Sequence, residues 1–255
     1  MTAYSLPLSQ HDIESLERAT LDAVAPPAVE ELDGWLLPFD RSTIGRAISA
    51  VPLRHDAGPV VVVQAMQARY AAHDLRAAFR VADVPGLAAV RTEMARLGYL
   101  PQQATLVQVG SATRMREICD APPAPVSTTP DDAWAAPFLT AGFDPVDGAN
   151  RIQALRRAQN AVYATVREGD QTLACGTAAF GFGWASIHGM RTVAHRRGQG
   201  MAVRVLAGLA DAALARGLER VFLQVEAENT AALALYRRAG FSTAWRYHYW
   251  RPAQI

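Results

Sequence analysis

The sequence predicts an α/β protein built in two halves, and three observations carry that reading. The second half alternates short β-rich runs with apolar stripes at helical spacing. The first half repeats the same order more faintly. Between them, residues 119–138 read CDAPPAPVSTTPDDAWAAPF and hold five prolines: Pro122, Pro123, Pro125, Pro130 and Pro137. Each proline fixes φ and removes a donor, so no regular element is expected at that density. The joint falls near 118–126.

In the first half, GWLLPF (34–39) and IGRAISAV (44–51) read as paired strands. AMQARYAAHDL (65–75) reads as a helix and RAAFRVA (76–82) as a strand. VPGLAAVRTEMARLGYL (84–100) is a helix that stops at Gly98, and ATLVQVG (104–110) is a strand. In the second half, ANRIQALRRAQN (149–160) is helical. AVYATV (161–166) and TLACGTAAFGF (172–182) form a hairpin around EGDQ (168–171), and WASIHGMRTV (184–193) is a third strand. Val203, Leu206, Ala207, Ala210, Ala213 and Leu214 then make one apolar stripe, with Arg204, Asp211 and Ala215 off it and Gly217 as the stop. RVFLQV (220–225) suits a buried strand. NTAALALYRRAGF (229–241) is a helix with Asn at its start and Gly240 past its end. STAWRYHYW (242–250) closes as a strand. MARLGYL and LYRRAGF share the sequence of helix end, glycine, aromatic and strand, which suggests an internal duplication.

Composition narrows the function. Half of the 255 residues are apolar and 19% are charged, so a packed core is expected. A formal net charge of +1 argues against a general nucleic-acid binder. No stretch approaches the roughly 18 apolar residues of a membrane span. The start, MTAYSLPLSQHDIESLERA, lacks a basic segment followed by an apolar run, so a cytoplasmic protein is expected. Cys119 and Cys175 are far apart and in no metal-like spacing. All 25 basic residues are arginine. Without lysine there is neither a Walker-type phosphate loop nor Schiff-base chemistry on a lysine. Anions must be held by arginine or by backbone N–H groups.

RRGQGMAVRVL (196–206) offers such groups. A strand runs into a glycine turn and then into a helix start, where unpaired N–H groups and the helix dipole favour an anion. Gly198 and Gly200 let the backbone approach it, and Arg197 adds a fork of donors. By itself the pattern also fits a plain tight loop. A dinucleotide-binding reading fails, because the third glycine and the acidic residue about 20 positions on are missing.

Arg197-Gly198-Gln199-Gly200-Met201-Ala202 matches [Q/R]-x-x-G-x-[G/A]. With the strands SIHGMRTV and FLQVEAEN and the segment NTAALALYRRAGF in that order, residues 126–250 resemble the GNAT superfamily of acyl-CoA-dependent N-acyltransferases. The resemblance implies a mixed, largely antiparallel sheet flanked by helices, in two tandem GNAT-like halves. A degenerate N-terminal domain would cover 1–118, a proline-rich linker 119–126 and a catalytic domain 127–255. It implies acetyl-CoA as co-substrate and no metal. The N–H groups of Gly198, Gln199, Gly200, Met201 and Ala202, with Arg197, would hold the pyrophosphate. The backbone of Met190, Arg191, Thr192 and Val193 would meet the pantetheine arm, as would Asn229. Tyr236 would protonate the departing thiolate.

The acceptor would be a small-molecule or peptide amine, with no nucleic acid or membrane as partner. An amine near pKa 10, by analogy with lysine, must lose a proton before it attacks. Glu226, His188 and Glu228 are candidate bases, and a water chain is the alternative. Tyr236 equally suits packing, and Asn229 equally suits helix capping. One face of Trp245, Tyr247 and Tyr249, alternating with Arg246, His248 and Trp250, could line the acceptor pocket. Arg46 and Arg80 are open between salt bridges and anion contacts. VVVQAMQARY (61–70) has no glycine, so the first half is not expected to bind CoA in the same way. The rival reading is a non-catalytic acyl-CoA sensor.

Overall fold

The structure, a computed structural model, describes residues 8–56 and 62–253, with only the backbone of Val62. The start of the chain read above for a leader therefore lies partly outside the described residues, as does Val61.

The chain opens with a helix the sequence reading missed, α1 (Gln10–Val24). Ser9 caps it, and Asp12 reaches back to the Ser9 N–H, closing a capping box. Two strands follow, β1 (Ala28–Leu32) and β2 (Trp35–Phe39), joined by a tight turn with both Asp33 and Gly34 at positive φ. The expected strand over 44–51 is not formed. Gly45–Ala47 is a single 3-10 turn, and only β3 (Val51–Pro52) is extended. Then come α2 (Val62–Ala72), β4 (Phe79–Ala82), α3 (Ala88–Arg96), β5 (Tyr99–Ser111) and α4 (Ala112–Glu117). Gly98, at φ +80°, ends the α3 segment as expected.

After the proline-rich connection come β6 (Val126–Ser127) and a short helix, α5 (Asp132–Ala135). The proline run thus tolerates one helical turn, because Asp131 caps it by accepting from the Trp134 N–H. The remaining order is α6 (Pro145–Arg157), β7 (Ala161–Glu168), β8 (Gln171–Gly181), β9 (Trp184–Thr192), α7 (Met201–Leu214), β10 (Arg220–Glu226), α8 (Thr230–Arg238) and β11 (Ser242–Pro252). The buried face of α7 centres on Val205, Leu206, Leu209 and Ala213, one turn-face away from Val203 and Leu214.

The main sheet runs β4-β11-β5-β10-β9-β8-β7-β6, all antiparallel except for β9 beside β10. A small antiparallel sheet, β1-β2-β3, joins its edge through a parallel bridge from Ala50 to Phe79. Three antiparallel strands, helix, strand, helix and strand thus occur twice along the chain. The last strands sit across from their own halves: β5 pairs with β10, and β11 pairs with β4. β5 and β11 pair with each other between them. The segment near 119–126 therefore separates the halves in sequence, while one sheet passes through both.

Apolar packing covers both faces of this sheet. On one face Trp35, Leu37, Met66, Phe79, Trp184 and Phe222 cluster. On the other, Val205, Leu206 and Leu209 of α7 pack on Val162, Ile187, Val221 and Leu223. α7 also lies hard against the proline-rich connection. Ala124 N–H donates to the Arg204 carbonyl at 2.9 Å, and a Cβ on Gly208 would stand 2.1 Å from the Ala124 carbonyl oxygen.

Candidate active site

The parallel pair β9/β10 shares only Ala185–Ile187 with Val221–Leu223. Beyond that, the strands part. β9 causes this by a bulge: its register on β8 slips between Cys175/Arg191 and Thr177/His188, and Gly189 there has φ +61°. A side chain at 189 would also meet Leu155 Cδ1 at 2.8 Å and Phe138 Cζ at 3.0 Å. Past the kink Arg191 and Thr192 stay paired with β8, while β10 no longer pairs with β9 there.

β9 then leads through a 3-10 turn, Ala194–Arg196, to the glycine loop. Gly198 and Gly200 both adopt left-handed φ, +74° and +79°, and Gly200 starts α7 with no side-chain cap. The N–H groups of Met201, Ala202 and Val203 precede the first intrahelical bond, Arg204 N–H to the Gly200 carbonyl. A cavity of about 680 Å³ opens at this corner. It is bordered by Arg197, Gly198, Gly200, Met201 and Ala202, by Met190, Arg191 and Thr192, and on the α8 side by Asn229 and Tyr236.

Two of the residues expected to touch the coenzyme do not border that cavity. Val193 is buried, and its N–H is held by the Leu173 carbonyl at 2.9 Å. Gln199 turns its amide to the His195 carbonyl at 3.1 Å. Asn229 is the cap of α8, its Oδ1 accepting from the Ala232 N–H, and the residue also borders the cavity.

A second cavity, about 520 Å³, lies across the gap. Its walls include His188, Gln224 and Glu226 from β9 and β10, and Tyr247 and Tyr249 from β11. The first half supplies Thr43–Arg46, Gln103 and Thr105. Met190, Arg191, Asn229, Ala232 and Tyr236 border both cavities, so the two meet at the splayed strands.

The titratable groups at the junction differ sharply. Tyr236 is buried against Phe241, and its hydroxyl has no protein partner among the described residues. Burial pushes its pKa up to about 12, against a smaller opposing pull from Arg191. His188 is buried edge-on to Phe222, with both ring nitrogens unpartnered among the described residues. Burial, aided by the charge of Arg46, holds its pKa well below the usual imidazole value, so it is neutral. Glu226 is exposed at the end of β10 and accepts from Gln103 Nε2 at 2.8 Å. Glu228 is exposed and borders neither cavity. Cys175 is fully buried, and burial pushes its thiol up to about 12.

A family profile described as "Probable histone acetyltransferase Rv0428c C-terminal" matches residues 10–250. The chain belongs to this acetyltransferase family. Among curated proteins it is similar to the uncharacterized N-acetyltransferase YobR of Bacillus subtilis (strain 168). The identity is 29% over 122 residues, 47% of this chain and 49% of that protein. It is also similar to the mycothiol acetyltransferase of Salinispora tropica, 42% identical over 82 residues, 27% of this chain and 26% of that protein. The matches thus span about half and about a quarter of these relatives. Among solved structures, a GCN5-related N-acetyltransferase from Kribbella flavida superposes with a TM-score of 0.71 at 12% identity, over 95% of this chain and 96% of that one. A tandem GNAT protein from the clavulanic acid biosynthesis pathway gives 0.60 at 16%, over 96% of each chain. The fold is that of the GNAT superfamily.

In this family member several site residues escaped a reading of motifs. Arg191 was expected through its backbone alone, yet its guanidinium lies over the rings of Phe143 and Phe138, 4.7 and 5.4 Å from their centroids. Gln224 links three elements beneath the second cavity: it donates to Thr20 Oγ1 at 3.0 Å and accepts from the Tyr247 hydroxyl at 2.8 Å. Of the two arginines left open, Arg80 is a buried partner of Glu17 at 2.6 Å, and Arg46 borders the second cavity.

Proposed function

We propose that the chain is an N-acetyltransferase that moves an acetyl group from acetyl-CoA to a primary amine by direct attack in a ternary complex. One observation carries this reading. A cavity floored by unpaired helix-start N–H groups and a second cavity meet at one point, and Tyr236 stands there. The pyrophosphate of acetyl-CoA suits the N–H groups of Gly198, Gly200, Met201 and Ala202 with Arg197 beside them. The pantetheine arm suits the gap, where Met190, Arg191 and Thr192 border the cavity. On this reading the thioester lies at the junction and the amine enters the second cavity.

The protonated amine first loses one proton, its nitrogen bonds to the carbonyl carbon, and the nitrogen sheds a second proton as the intermediate collapses to the amide. The C–S bond then breaks, and the sulfur takes hydrogen-bonding support and a proton from the Tyr236 hydroxyl, which is restored from solvent. Glu226, open to water at the cavity wall, is the group suited to receive the amine proton through a water chain. A histidine held neutral with a depressed pKa is a weak base, so His188 takes no proton in this scheme. A buried thiol with pKa about 12 is a poor nucleophile, which favours direct attack over an acyl-Cys175 intermediate. The N-terminal half, whose element order repeats that of the second, serves as a degenerate copy that walls the acceptor side.

The test is CoA release from acetyl-CoA across a broad panel of amines, with thermal shift by acetyl-CoA in parallel. Release with at least one amine supports transfer. Stabilisation by acetyl-CoA without release from any amine supports the sensor instead. No stabilisation removes the proposed donor site.

A further inference from the structure

The second cavity carries an excess of positive charge. Among the described residues, four guanidiniums border it, from Arg46, Arg151, Arg191 and Arg251, against two carboxylates, Asp147 and Glu226. Both carboxylates are already engaged. Asp147 pairs with Arg151 and accepts from Thr43 Oγ1 at 2.9 Å, while Glu226 accepts from Gln103. Arg191 faces the phenylalanine rings, and Arg251 stacks on Tyr249 and donates to Gln102.

Arg46 differs from the other three. It is half-buried, and among the described residues it makes no ion pair and no hydrogen bond. Glu17, whose carboxylate feels the Arg46 charge, is already paired with Arg80. The backbone that carries Arg46 is held in place. Gly45 sits so close to Tyr249 that a Cβ there would be 2.7 Å from the ring. Around Arg46 lie the neutral His188, with two unpartnered ring nitrogens, and the paired hydroxyls of Tyr247 and Tyr249. A partly desolvated guanidinium without a counter-charge is unfavourable, and a bound anion offsets that cost.

We propose that the amine acceptor also bears an anionic group, a carboxylate or a phosphate, and that Arg46 binds it beside His188. This rests on the acyl-transfer reading above. The guanidinium fork matches either anion with two parallel hydrogen bonds. A strongly basic peptide brings charge of the same sign as the cavity and is disfavoured.

The experiment compares amines that differ only in the anion: β-alanine with β-alaninamide, and phosphoethanolamine with ethanolamine. A lysine-rich peptide is added. Each is assayed for CoA release with the full chain and with Arg46→Gln and Arg46→Lys, and for calorimetric binding to the protein–CoA complex. The anionic member of at least one pair is expected to have a kcat/KM at least ten-fold higher, and the responding pair distinguishes carboxylate from phosphate. Arg46→Gln should bring that member to within about three-fold of its neutral partner, with the KM for acetyl-CoA unchanged, and Arg46→Lys should recover part of the preference. Preference for the neutral amines or the basic peptide, or an anion preference that survives Arg46→Gln, overturns the proposal. If no amine releases CoA, the acyl-transfer reading fails, and binding decides the anion site separately. Anion binding that weakens ten-fold in Arg46→Gln upholds it, and binding that is absent or unchanged overturns it.

Discussion

Replacing Tyr236 with phenylalanine removes one hydroxyl at the meeting point of the two cavities and little else. The ring keeps its contact with Phe241, 5.9 Å between centroids. The hydroxyl has no protein partner among the described residues, so its loss strands no buried donor or acceptor. Stability should therefore change by less than about 1 kcal/mol. Turnover should change much more. A positioned acid contributes roughly 10²- to 10⁴-fold. With a pKa of about 12, Tyr236 is a weaker acid than an ordinary thiol near 8.5. Full proton transfer to the thiolate is therefore uphill by that comparison, and most of the effect comes from hydrogen bonding to the developing charge. That favours the low end of the range, about a 10²-fold loss in kcat, or about 2.7 kcal/mol of barrier. Steady-state kinetics on a responsive amine should show this loss with the KM for acetyl-CoA nearly unchanged. The wild-type rate should climb with pH as the amine loses its proton, and no alkaline downturn should appear before the assay limit, because Tyr236 keeps its proton throughout that range. Undiminished turnover in Tyr236→Phe would refute the acid role.

Gly208→Ala should destabilise the protein by about 1–3 kcal/mol or more, read as a lower urea midpoint, because its Cβ would strike the Ala124 carbonyl. Glu17→Gln should cost about 3–5 kcal/mol by leaving Arg80 buried and unpaired, measured by the same titration. His188 has a folded pKa below its unfolded value of about 6.5, so only the unfolded state takes up its proton as pH falls below 6.5. Its contribution to stability is complete above that pH and declines below it, by up to about 1.4 kcal/mol per pH unit; His188→Gln should flatten the pH 7 to 5 stability profile relative to wild type. Residues 127–255 alone should not fold cooperatively, since β10 would lose β5 and β11 would lose both neighbours; a sharp thermal transition in that fragment would count against the shared sheet.

The glycine corner proposed for the donor was legible because it is local. Strand, glycines, arginine and helix start lie within twelve residues of chain, and positive φ at Gly198 and Gly200 follows from the only residue type that adopts it freely. The hairpin of β7 and β8, strand β10 and helix α8 were legible for the same reason, through period and stop signals. The first half was harder to read. IGRAISAV, read as a strand beside GWLLPF, lacks strict alternation, with Ile44, Ala47, Ile48 and Val51 recurring at three- and four-residue steps; Gly45 sits against Tyr249 and the chain makes a 3-10 turn there, a tertiary contact that no local pattern contains. The α1 helix went unread although Ser9 and Asp12 form a capping box. The missed roles of Arg191, Gln224 and Thr43 depend on partners between 23 and 204 residues away along the chain.

The exchange of final strands explains why acceptor residues escape a motif. β5 stands between β10 and β11, so Gln103 and Thr105 of the first half face the same cavity as Glu226 and Tyr247 of the second. The turn that carries Arg46 then reaches that cavity from the small sheet, pressed against Tyr249. The proposed donor corner, by contrast, is built from the second half, and among the described residues the first half borders none of it. Under the proposed function, substitutions in Thr43–Arg46 or Gln103 should therefore alter which amine fits while the proposed pyrophosphate grip stays as it is. The halves divide the proposed reaction between them: one carries the group to be given, and both together select what receives it.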